Sequence, residues 1–333
     1  MKKIILTVSM LLIVFSSWAI AAQEELVVYS ARKEHLIKDL FEKYEKEQGV
    51  KIKYITGKAA VLLQRILSEG KNTSADILLT VDAGNLWHAA QKKVLSPVKS
   101  QILNHNIPAH YKDPENRWFG LSVRARTIVY NTDKVKKEDL SSYEALAGDE
   151  WKDRLLLRTS KKVYNQSLVA MLIATLGEDK TRSIVSGWVN NLAAPPYSSD
   201  TKALEAIAVG QGDVGIVNTY YYARLMKKNP NLPLEIFWAD QAGKGVHVNV
   251  SGAGVIKHSQ KIGQAVKFLE WLSEKEAQKI FADANMEFPV NEAVAPHDYV
   301  RGWGKFKEST MNLAKAGELQ ARAIKLMDME GYK

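Results

Sequence analysis

The 333-residue sequence predicts an α/β fold arranged as two lobes. Strand-like and helix-like segments alternate through most of the chain, which argues for a mostly parallel sheet. The chain is long enough for two cores, and 46% apolar against 25% charged residues is globular composition. No internal repeat and no Pro/Ser-rich tether divides it. The lobes are therefore expected to be joined by strands running directly between them.

The first segment reads as an address. Lys2 and Lys3 precede an apolar run over 4–15, broken only by Thr7 and Ser9. Ala19-Ile20-Ala21 then supplies a small-x-small cleavage pattern, so 1–21 is expected to be a signal peptide. The run is short for a membrane span, and with no Cys after it a lipoprotein anchor is excluded. The mature protein is expected to be exported and periplasmic.

Residues 26–30 read as a buried strand. Apolar positions 36, 37, 40, 41 and 44 mark an amphipathic helix over 36–48, with Gly49 as its stop. A second strand over 50–55, a helix over 60–70 and a strand over 75–81 follow. Further on, 127–130 and 155–158 read as strands, 166–176 and 203–209 as helices, and 214–218 as a strand. Residues 223–228 look helical, 246–256 form a long returning strand, and 262–285 read as one helix before one or two terminal helices. Residues 118–129 and 245–254 are the best crossovers. They give a first lobe of 22–123 plus about 249–295, and a second of 124–248 plus about 296–333. A hinged cleft between lobes closes around a ligand.

Composition narrows the chemistry. Lys plus Arg outnumber Asp plus Glu by 46 to 37, a net charge of +9 that at first suggests nucleic acid. Losing Lys2 and Lys3 with the leader lowers that charge by two, and the remaining bases are scattered among acids, so no nucleic-acid partner is expected. With no cysteine there is no disulfide, thiolate metal site or cysteine nucleophile. Gly210-Gln211-Gly212-Asp213-Val214-Gly215 matches GxGxxG, but it follows a helix and leads into a strand. That order is reversed for a dinucleotide site, so it reads as a helix C-cap and turn. No Walker loop, HExxH or GxSxG elbow is present, and no enzyme activity is expected. His105 and His110, in a Pro-containing loop, read as surface residues.

Tyr220-Tyr221-Tyr222 lies just beyond the strand 214–218, where open α/β sheets gather ligands. Tyr164 occupies a second strand-to-helix turn. Taken alone, such rings fit a core or a sugar-stacking surface. Three phenols converging from such turns would suit one hard trivalent cation, since three phenolates match the charge of Fe³⁺. Each must lose a proton from a pKa near 10, helped by the metal and by nearby positive charge. Arg32, Arg124, Arg126 and Arg224 could supply that charge or hold an anion, or form ordinary salt bridges.

From Leu26 onward the chain resembles the periplasmic ferric-ion-binding proteins, the soluble receptors of iron ABC importers. The resemblance is carried by Val28-Tyr29-Ser30-Ala31-Arg32, Ser74-Ala75-Asp76-Ile77, Trp118-Phe119-Gly120 through Arg124-Ala125-Arg126, and Val163-Tyr164-Asn165-Gln166-Ser167-Leu168. Asn218-Thr219-Tyr220-Tyr221, the segment from Gly245 to Gly252, and Glu287-Phe288-Pro289-Val290 complete it. It implies a class II periplasmic-binding-protein fold, with iron held by Tyr164, Tyr220 and Tyr221. Arg124 and Arg32 would then lie behind the ligands or face an anion such as carbonate or citrate. Close relatives commonly carry His-Tyr after the first-strand Arg, and that Tyr is a further ligand. Here Lys33 and Glu34 stand at those positions, followed by His35, so Glu34 or His35 is considered as a replacement, and Lys33 as an anion partner. The resemblance implies a monomeric receptor delivering ferric iron to an inner-membrane ABC permease. The competing readings are a receptor for an oxyanion, polyamine or sugar, and more remotely an exported hydrolase.

Overall fold

The structure, a computed structural model, describes residues 24–333, so the leader expected over 1–21 lies outside the described residues. Nine strands build one curled sheet. They are β1 (Glu25–Ser30), β2 (Lys51–Thr56), β3 (Ile77–Val81), β4 (Phe119–Asn131), β5 (Leu155–Leu156), β6 (Val214–Asn218), β7 (Leu234–Phe237), β8 (Val248–Val255) and β9 (Phe288–Pro289). The strand order is β2-β1-β3-β8-β4-β6-β5, with β7 and β9 also paired to β4. Among the described residues, no helix is long and apolar enough to cross a membrane.

The first lobe starts as the alternation predicts. β1 lies parallel to β2 and to β3. The connecting helices Lys38–Gln48 and Ala59–Glu69 bury one apolar stripe each, Leu40, Phe41 and Tyr44 on the former. Gly49 ends the first of them with a left-handed backbone (φ 69°), a geometry that glycine adopts without a Cβ penalty.

β4 joins the lobes. Its residues Phe119 to Ala125 pair antiparallel with β8, and from Arg126 to Tyr130 it pairs with β6 instead. All thirteen residues are buried, as expected for a strand covered on both faces. Beside the exchange point, the Arg126 amide donates to the carbonyl of His247, just before β8 (2.9 Å). The Tyr143 phenol donates to the Arg126 carbonyl and accepts from the His247 amide, clasping both crossovers.

Three expected elements differ. The helix read over 262–285 is two helices, Ile262–Leu272 and Lys275–Asp283. Gln278 donates to the carbonyl of Leu272 and Asn291 to that of Ser273 (2.8 and 2.9 Å), so side chains cap the last turn where a continuous helix would need backbone amides. The helix read over 223–228 starts at Thr219 and runs to Lys228, which places the tyrosines in its first turn. The strand read over 155–158 is only two residues long, and Arg158 keeps an isolated bridge to Tyr197. The glycine-rich match behaves as a turn: helix Asp200–Ala208 ends, Gly210 takes φ 74°, and β6 begins.

The terminal helices pack behind the lobes. Ala314–Glu318 lies against both Ala83–Gln91 and Val163–Leu176, and Gln320–Met329 continues along the latter. Tyr332 is buried beneath the start of Val163–Leu176, donating to the Arg158 carbonyl (2.6 Å) and accepting from Asn165 (2.8 Å).

Candidate functional site

The lobes face each other across a cavity of about 200 Å³. Arg32 and Lys33 just past β1, Val81 at the end of β3, Ser251 on β8, Asn285 with Glu287, and Arg124, which sits on the crossover strand β4 where it still pairs with β8, line part of it. The second lobe contributes Tyr164, Tyr220, Tyr221 and Arg224. Tyr164 sits in the first turn of Val163–Leu176, and Tyr220 and Tyr221 in the first turn of Thr219–Lys228. Two helix N-termini therefore present the phenols, and their positive dipole ends favour the phenolate form. Tyr222 turns away, donating to the Leu234 carbonyl and packing on Trp303.

Positive charge surrounds the rings. The Arg124 guanidinium lies 5.3 Å from the Tyr164 ring centre, and Arg158 lies 5.4 and 5.6 Å from those of Tyr164 and Tyr221. Arg224 covers Tyr220 and Tyr221 at 5.1 and 4.9 Å. Arg158 also donates to the Tyr221 oxygen (3.3 Å). Burial nevertheless holds the Tyr164 phenol above the ordinary range, although Arg124 and then Arg158 pull it down. Tyr220 is pushed further up by burial and by the neighbouring Tyr164 and Tyr221. Without a metal these two phenols stay protonated at neutral pH, so a hard cation bound by their oxygens would have to displace the protons.

Several guanidinium nitrogens have no partner. Arg32 Nε and Nη2, Arg124 Nη1 and Arg158 Nε are buried without an acceptor, as is the hydroxyl of Ser251. Unmet buried donors are costly, so this rim is chemically suited to an anion. Arg32 is otherwise fixed by Glu287 (2.9 Å) and by stacking on Phe281 (4.3 Å). Glu287 is held below the usual carboxylate range by Arg32 and Arg124, which outweigh its burial.

The remaining predicted residues fall elsewhere. Arg126 points into the second lobe, bonded to Asp200 (3.0 Å), Asn165 (2.9 Å), Asn218 (3.3 Å) and the Ile216 carbonyl (2.9 Å). Asn165 adjoins Tyr164 and Asn218 precedes the tyrosine turn, so Arg126 anchors both turns from behind. Glu34 and His35 are not brought to the cavity. They lie in a short turn of tighter helix, Glu34–Leu36. Glu34 accepts from the Tyr54 hydroxyl (3.0 Å), while His35 lines a separate surface recess with Asp39 and Glu276. Lys33 and Leu36, on either side of them, line the cavity instead. His105 is exposed as read, but on the helix Gln101–Asn106 rather than in a loop, whereas His110 is half-buried against Glu308 (3.0 Å). Among the described residues, no group of three or more His, Cys, Asp or Glu forms a metal site, so phenols are the concentrated hard donors of this cavity.

The sequence profile for "Bacterial extracellular solute-binding protein" matches residues 72–302. The chain belongs to this family. As a bacterial extracellular solute-binding protein, it is 42% identical to iron uptake protein A1 of Synechocystis over 317 residues, 93% of this chain and 88% of that one. A Trichodesmium protein solved in complex with iron and citrate ligands superposes with a TM-score of 0.90 at 42% identity, covering 93% of this chain and all of the other (100%). The ferric binding protein of Campylobacter jejuni gives 0.85 at 34% identity, over 92% and 100% of the two chains.

Arg158, Glu287 and Ser251 were not singled out from sequence as site residues. Arg158 did carry a signal, a charge at the carboxyl end of a three-leucine run. Glu287 carried little, because it precedes a two-residue strand whose partner β4 is remote in sequence.

Proposed function

We propose that this solute-binding protein is the ferric-iron receptor of an ABC importer. It clamps Fe³⁺, alone or as a small complex, between its lobes and delivers it to an inner-membrane permease. One observation carries the reading: Tyr164, Tyr220 and Tyr221 meet in one interlobe cavity, presented by two helix N-termini and ringed by arginines. The names of the relatives, iron uptake and ferric binding, agree with it.

Phenolate oxygens of the three tyrosines hold the metal. Arg32, Arg124 and Arg158, with their unmet donors, receive a synergistic anion such as carbonate or citrate, which supplies the oxygen donors that a fourth tyrosine would have given. This assignment gives Glu34 and His35 no place in the ligand set. The protein works as an exported, periplasmic monomer and performs no covalent chemistry. Release follows from lobe opening, protonation or reduction.

Iron-loaded protein should show a phenolate-to-iron charge-transfer band in the visible, and Tyr220→Phe together with Tyr221→Phe should remove it. Colourless protein under iron-replete conditions, with unchanged thermal stability, would sink the proposal. The unpaired guanidinium donors also favour a second reading, an oxyanion receptor. In that case the Tyr-to-Phe changes would leave ligand affinity intact, and Arg124→Gln would abolish it.

A further inference from the structure

A second cavity, of about 400 Å³, lies at the hinge, outside the set of residues that line the tyrosine cleft. One wall is the side of helix Val163–Leu176 carrying Leu168, Met171, Leu172 and Leu176. These positions recur at three- and four-residue intervals, so they form one continuous apolar stripe. The opposite wall is polar and includes Tyr143, Asp240 and His247. A concave apolar wall facing a few fixed polar groups is the usual build of a small-molecule site, and the volume suits a small ligand.

We propose that this cavity binds a small organic cation, with an apolar body against the Val163–Leu176 stripe and an ammonium group at Asp240. Among the described residues, no cation is among the groups that shift the ionisation of Asp240. Its neighbour Glu144 is already paired with Lys180 (2.9 Å). Burial, with Glu144 adding to it, pushes Asp240 up to about 6, so the carboxylate form lacks a counter-charge that an ammonium would supply. His247, on the same wall, brings no competing charge. It is 5% exposed, and its Nδ1 has no partner. Burial, and then Arg126 and Arg124, lower its pKa to about 3. The ring is therefore neutral and adds no positive charge to the wall that would oppose a cation. Lys244 also reaches the rim, so an anionic ligand is the natural counter-hypothesis.

The test uses iron-free protein, so its outcome is separate from the iron reading. Isothermal titration would compare 2-phenylethylammonium, 2-phenylethanol and phenylacetate, which share an aromatic body and differ in charge. The ammonium should bind about tenfold tighter than the alcohol, the worth of a charge-assisted hydrogen bond, with phenylacetate weakest. Asp240→Asn should erase the ammonium's advantage and leave the alcohol's affinity unchanged. Met171→Trp should block both by filling the cavity; should that variant fail to fold, the Asp240→Asn comparison decides alone. Equal affinities for the three probes, preference for phenylacetate, or an advantage that survives Asp240→Asn would overturn the proposal.

Discussion

Arg124 and Arg126 stand two apart on β4, so strand alternation places them on the same face. They nevertheless take different positions. Arg124 opens toward the tyrosines, while Arg126 closes on Asp200 inside the second lobe. The strand changes partner between Ala125 and Arg126, from β8 to β6, and local sequence does not encode that change. Residue type and spacing alone grouped the two arginines, and only the family resemblance set Arg124 apart. Replacing Arg126 with Met should cost about 3–5 kcal/mol in urea unfolding, because Asp200 would remain buried with Arg158 only at 3.7 Å. Iron affinity should fall as well, although Arg126 does not line the cleft. Full affinity in the variant would refute its anchoring of the Tyr164 and Tyr220 turns. The tyrosines themselves were legible because polar aromatics at strand-to-helix turns are conspicuous. Glu34 and His35 were not, because a single turn of tighter helix decides which residues face the cleft, and here Lys33 and Leu36 do.

Among the elements, the parallel strands β1, β2 and β3 and the helices between them followed from periodicity, but the sheet is not mostly parallel as expected: five of its eight strand pairings are antiparallel, because the crossover strands β4 and β8 run against their neighbours. Where side chains replace backbone partners, periodicity gave no warning, as at the break between Leu272 and Lys275. The short helix Ala314–Glu318 was also hard to place, since its packing rests on one small residue. A Cβ on Gly317 would lie 2.5 Å from Trp87 Cβ, so the helix approaches Ala83–Gln91 only because that atom is missing. Gly317→Ala is expected to destabilise the protein by about 1–3 kcal/mol in chemical denaturation, despite alanine's better helix propensity. A neutral or stabilising result would mean that this contact relaxes freely. The Thr219–Lys228 helix shows the same local limit. Three consecutive tyrosines look unlike a helix start, yet the helix begins before them at Thr219, and this brings Tyr220 and Tyr221 to the cleft together.

For the molecule as a whole, the proposed tyrosine site would couple metal uptake to protons. Tyr164 and Tyr220 are held above the ordinary phenol range, mainly by burial, so the metal-free cleft is protonated at neutral pH. Metal binds the deprotonated form, and acid therefore competes with it. Apparent iron affinity should fall as pH falls, by up to about three decades per pH unit if all three phenols ligate. Adding a ferric chelate to metal-free protein in weak buffer should release protons measurable by pH-stat. A pH-independent affinity would rule out phenolate ligation.

The order in which the strands join the sheet has a consequence for the chain before it folds. β8 lies between β3 and β4, yet it is made more than a hundred residues after either of them. Until residues 248–255 arrive, β3 and the first half of β4 both have open edges, and neither half of the first lobe can seal its core. Such distant pairing is slow to find. The sheet at the centre of the molecule therefore closes late, because the strand that completes it is among the last to be made.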